Sequence, residues 1–119
     1  MSAVKDKISL RRKLLLKEAE RITQKLAGLG VQKVILFGSL GKGRVHSGSD
    51  LDLLVVWDTE LRFMDRLDVI YRTVSPAVAL DLLVYTPEEF AELVRTRPFI
   101  RQIVNEGKIL YEARARSGS

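Results

Sequence analysis

Three aspartates stand where their neighbours are apolar. Asp50 and Asp52 flank Leu51 at the opening of the run Leu51 to Trp57, and Asp81 interrupts the stretch from Val78 to Tyr85. Aspartate is depleted in strands, and a buried carboxylate without a partner is strongly disfavoured. At the period of two that a strand imposes, Asp50 and Asp52 share a face, roughly 6–7 Å apart along the strand. Three carboxylates on neighbouring strands repel one another unless a cation sits between them. A hard divalent ion, magnesium or manganese, resolves that repulsion with oxygen ligands alone. Two such ions form a clamp on the attacking and leaving oxygens of phosphoryl chemistry. Singly, each aspartate has a structural explanation: Asp50 caps the turn after Gly48-Ser49, and Asp52 or Asp81 meets water at a sheet edge. Together they make Asp50, Asp52 and Asp81 the candidate metal ligands and catalytic groups.

The segment between the first two apolar runs supplies a second element of chemistry. Gly38 to Ser49 holds four of the eight glycines, with Ser39, Lys42, Arg44, His46, Ser47 and Ser49 among them. Gly38-Ser39 follows directly on Val31 to Phe37. A glycine there lets backbone N–H groups approach phosphate oxygens, and the serine hydroxyl adds a neutral donor. A helical turn beginning at Ser39 would add its dipole. The spacing is neither that of a Walker loop nor that of a Rossmann fingerprint. His46 is the one histidine, and a lone loop histidine is ordinarily a solvated side chain.

The elements that must position these groups follow from the pattern. Ile8, Leu15, Ala19, Ile22, Leu26 and Leu29 predict an amphipathic helix over 8–28, stopped by Gly28-Leu29-Gly30. Val31 to Phe37, Leu51 to Trp57 and Val78 to Tyr85 read as strands, the second covered on both faces. Phe63, Leu67, Ile70, Tyr71 and Val74 predict a helix ending before Ser75-Pro76. Thr86-Pro87-Glu88-Glu89 is a capping box that opens a further helix, and Pro98 opens another, ending at Gly107. Lys108 to Tyr111 adds an edge strand. The loop after the first strand is too short for a helical crossover, so the first two strands are expected to pair antiparallel. The fold class is therefore α/β (α+β): a small mixed sheet flanked by helices.

Composition bounds the rest. A chain of 119 residues is one domain's worth, taken as residues 1–112 with a polar tail over 113–119, whose last residues resemble a cloning remnant. Zero cysteines and one histidine exclude thiolate and multi-histidine metal sites. No apolar run is long enough to span a membrane, and no signal core opens the chain, so a cytoplasmic location is expected. The net charge of +5 resides in residues 1–25, with eight Lys/Arg against three Asp/Glu; residues 26–119 balance at twelve each. That basic segment reads as a solvated helix face, or as a surface for an acidic partner or nucleic acid. It lacks aromatics to stack on bases.

Gly38-Ser39, ten residues, then Asp50-Leu51-Asp52 resembles the GS-x10-DxD motif of the DNA polymerase β-like nucleotidyltransferases. The string LFGSLGKGRVHSGSDLDLLVV, with LDLLVYTPEEF later, is similar to their minimal (MNT) branch over about residues 8–112. The resemblance implies a nucleotidyltransferase fold in which Asp50 and Asp52 hold magnesium. Gly38 and Ser39 would grip the triphosphate of ATP, helped by Ser49, and Asp81 would complete the triad and activate the acceptor hydroxyl. Related sequences often carry arginine after the Gly-Ser pair. Leu40 stands there in this chain, leaving phosphate neutralisation to Lys42 or Arg44. Minimal members act as antitoxins beside a HEPN-type toxin, which implies AMP transfer from ATP to a tyrosine of that partner and a homo- or hetero-oligomeric assembly. Phe63, Tyr71 and Phe99 are the candidate contact residues. Two other readings stand beside it: an antitoxin that neutralises its partner by docking alone, and a nucleic-acid-binding module using the basic helix.

Overall fold

The computed structural model describes residues 3–38 and 50–114. In chain order the elements are α1 (Ala3–Gly28), β1 (Lys33–Phe37), β2 (Leu51–Val56), α2 (Phe63–Val74), β3 (Leu80–Tyr85), α3 (Pro87–Thr96), α4 (Pro98–Glu106) and β4 (Lys108–Glu112). The four strands form one sheet in the order β3-β2-β1-β4. β1 pairs antiparallel with β2 and with β4, while β2 and β3 run parallel, so the sheet is mixed as the loop lengths require.

Period-two alternation divides the core between the two faces. Leu51, Leu53 and Val55 of β2 pack with Leu15, Ala19, Ile22 and Leu26 of α1 and with Ile70 and Val74 of α2. Leu54 and Val56 face the other way, onto Ile100 and Ile103 of α4, with Phe90 and Leu93 of α3 alongside. Every residue of β2 is buried, as an apolar run interrupted only by Asp52 leads one to expect. Thr86 and Glu89 close the expected capping box, each side chain accepting from the other's backbone N–H. Among the described residues, no helix is long and apolar enough to cross a membrane.

α1 differs from expectation at its start. It begins at Ala3, and residues 7–14 are all exposed; from residue 7 onward, the first buried side chain is Leu15. Ile8 is in phase with the apolar stripe yet 64% exposed. A helical repeat states which side of the cylinder is apolar, not whether anything lies beneath it.

Glu18 joins α1 to the turn before β3. It takes two hydrogen bonds from Arg21 (2.8 and 2.7 Å) and one from the Ala77 backbone N–H (2.8 Å). The Arg21 hydrogen bonds chiefly, with help from the Ala77 amide against the cost of burial, lower the Glu18 pKa from 4.5 to about 2. A depressed folded-state pKa stabilises above the unfolded value, and that stabilisation is lost as pH falls from about 4.5 towards 2. Because Arg21 is 38% exposed and screened by solvent, the share at stake is about 1 kcal/mol. Urea denaturation of Glu18→Gln should therefore show a flatter dependence of stability on pH below 4.5 than the parent chain.

Candidate active site

The pairing brings three chain segments to one end of the sheet. β1 ends at Phe37 where β2 and β3 begin, since β2 runs antiparallel to β1 and parallel to β3. The register aligns Phe37 with Asp52, and Asp52 with Asp81. Direct partners on adjacent strands project to the same face, so Asp52 and Asp81 are side-by-side carboxylates on strands about 5 Å apart. Asp52 is 2% exposed, whereas Asp81 is open to solvent. The pair thus runs from the interior to the surface.

Gly38 leaves β1 with φ +80°, in the left-handed region that a side chain resists. A β-carbon at this position would strain the backbone at the end of β1. Ser39, Lys42, Arg44, His46 and Ser49 lie outside the described residues.

Asp50 takes a different direction from the one that strand periodicity predicts. β2 begins at Leu51, so the contacts of a bend, not the pleat, set the Asp50 side chain. Oδ2 accepts from the Ala79 backbone N–H at 3.2 Å, and Oδ1 forms an ion pair with Arg11 Nη2 of α1 at 2.8 Å. The three aspartates therefore share one end of the sheet, with Asp50 turned to a cation from α1. Among the described residues, no three acidic or histidine side chains gather closely enough to hold a metal ion. The donor chemistry of Asp52 beside Asp81 nonetheless fits a hard divalent ion: both are oxygen ligands, and their mutual repulsion favours an intervening cation.

The candidate contact residues separate. Tyr71 is half-buried, and its hydroxyl donates to the Leu80 carbonyl beside Asp81. Burial, and then the Asp81 charge, raise its pKa, which keeps the phenol protonated as that donor. Phe99 is 56% exposed and meets Phe37 edge to face at 6.1 Å, at the carboxylate end. Phe63 packs against Tyr85 at the opposite end of β3.

Two arginines escape sequence reasoning. Arg66, 6% exposed, donates to the carbonyls of Leu61 and Val84 and to both carboxylate oxygens of Glu89. Arg11 reaches Asp50. Arg11 stands four residues before Leu15, in phase with the buried stripe, and that phase is the one local sign of its direction.

Three comparisons bear on this geometry. Residues 16–111 match the family model described as a nucleotidyltransferase domain. A chain of Methanocaldococcus jannaschii named "Putative protein adenylyltransferase" is 29% identical over 82 residues, covering 68% of this chain and 79% of that one. A crystal structure from Sulfolobus solfataricus, titled as that of a putative nucleotidyltransferase, superposes with a TM-score of 0.61. It is 22% identical and covers 86% of this chain and 84% of its own, a likeness of fold.

Proposed function

The chain belongs to the nucleotidyltransferase-domain family, and from that premise we propose that it moves AMP from ATP to a hydroxyl on a protein acceptor. The observation that carries this reading is the register pair Asp52–Asp81, placed beside the glycine turn at the end of β1. The name borne by the M. jannaschii relative supports adenylyl transfer to protein. In the step, an acceptor oxygen bonds to the α-phosphorus, the α–β phosphoanhydride breaks, and pyrophosphate leaves. Magnesium, or manganese, held by Asp50, Asp52 and Asp81 would neutralise charge on the triphosphate and on the departing pyrophosphate. Gly38 admits the triphosphate to the backbone, with Ser39, Ser49, Lys42 and Arg44 as its remaining contacts. Asp81, the solvent-facing carboxylate, orients the incoming hydroxyl and accepts its proton. Positioning and electrostatics supply most of the rate in chemistry of this kind.

In our reading the catalytic domain spans residues 1–112 and the acceptor is a tyrosine of a HEPN-type toxin in the cytoplasm, with this chain as the antitoxin. Phe99 is the aromatic placed to touch it, being exposed at the carboxylate end.

Calorimetric titration of ATP, with and without magnesium, is the direct test. Binding should require the metal and be lost in the Asp50→Asn/Asp52→Asn double variant. Metal-independent binding, or binding that survives the double substitution, would refute the assignment of the carboxylates. No binding to either the chain or its complex would favour an antitoxin acting by docking alone.

A further inference from the structure

We propose that Arg11 is a nucleotide-binding residue, supplied to the site by α1. In the free protein it neutralises Asp50, and when ATP binds its guanidinium transfers to the triphosphate. The inference deepens the reading above and rests on it.

Packing does not explain where Arg11 sits. It lies in the segment 7–14, exposed throughout, which overhangs the end of the sheet where Asp50, Asp52 and Asp81 are found. Its ion pair spans from that overhang to Asp50 at 2.8 Å, with the arginine side chain 53% exposed and the aspartate 32%. Ion pairs this open contribute little to stability. The contact instead places a planar, permanently charged fork beside Asp50, on the α1 side of the sheet end, and that fork matches phosphate as well as it matches carboxylate.

Exchange of partners is also favoured by charge. A divalent cation arriving at the aspartates repels the guanidinium and competes for Asp50, while the triphosphate arriving with it offers Arg11 new oxygens. Asp50 stays oriented when Arg11 departs, because its other oxygen is held by the Ala79 amide. The segment carries Lys7, Arg11, Arg12 and Lys13 with no acidic residue, so an anion meets a favourable field there.

The two ligands should respond in opposite directions to Arg11→Gln. Calorimetry should show ATP with magnesium binding about tenfold more weakly, which corresponds to about 1.4 kcal/mol. Manganese alone, followed by paramagnetic resonance, should bind a few-fold more tightly once the competing cation is gone. The thermal midpoint should not move, and Arg11→Lys should recover part of the ATP affinity. Unchanged ATP affinity in Arg11→Gln, with the parent chain binding normally, would overturn the inference and leave the nucleotide site standing. Weaker ATP binding with a lowered thermal midpoint would overturn it too, marking the ion pair as structural. Failure of the parent chain itself to bind ATP would remove both the inference and the reading beneath it.

Discussion

Asp52→Asn is expected to lower AMP transfer by about a thousandfold or more, with the thermal midpoint unchanged. The size follows from what the substitution removes: a preorganised charge in a site shielded from water, where losing a single electrostatic contact commonly costs a factor of about 10²–10³. Asparagine keeps the shape of the side chain while removing its charge, so the fold should survive the change at this 2% exposed position in register with Asp81. Transfer of label from α-labelled ATP into an acceptor protein, read beside a melting curve, separates the two effects. A variant that lost activity by unfolding would show a lowered midpoint; a variant that kept full transfer would remove Asp52 from the chemistry.

Arg66→Ala should be the most damaging substitution for stability, at about 3 kcal/mol, and should lower the melting midpoint by roughly 10–20 °C. Arg66 is buried at 6% exposure and crosses from α2 to β3 and α3, donating to Leu61 O (2.8 Å), Val84 O (3.2 Å) and both oxygens of Glu89 (2.7 and 3.1 Å). Its hydrogen bonds are the largest cause of the lowered Glu89 pKa, ahead of the Thr86 amide. Alanine would leave the Val84 carbonyl without this donor, open a cavity where the stem packed, and loosen the carboxylate that closes the capping box. Glu89→Gln should cost less, because Glu89 is 45% exposed and glutamine still accepts from Thr86. Thermal unfolding of the two variants together gives the ordering, and equal losses would assign the effect to the capping box alone.

Much of the architecture is local and therefore readable in one dimension. The near-continuous apolar run of Leu51 to Val56 specifies a doubly covered strand, Thr86-Pro87-Glu88-Glu89 specifies a helix start, and the short loop forces β1 and β2 antiparallel. Asp52 and Asp81 were legible for the same reason: a carboxylate inside an apolar strand violates a local rule, and such violations concentrate at functional sites. Residue spacing could not say that these two would be direct cross-strand partners. A shift of one residue between β2 and β3 would have placed them on opposite faces.

Asp50 and Arg11 mark where one-dimensional reading ends. Strand periodicity put Asp50 on the face of Asp52, but the strand begins one residue later, and a turn amide and a helix side chain orient it instead. The basic segment of α1 looked like a solvated face because helical phase carries no information about where the sheet beneath it stops. By itself, then, the sequence determined the element types, the antiparallel start of the sheet and the pair of strand carboxylates, all properties of near neighbours in the chain. Only the tertiary structure decided the β2–β3 register, the overhang of α1 and the meeting of Arg11 with Asp50 across thirty-nine positions of chain. Such contacts depend on how packed elements end relative to one another, and no local propensity encodes that.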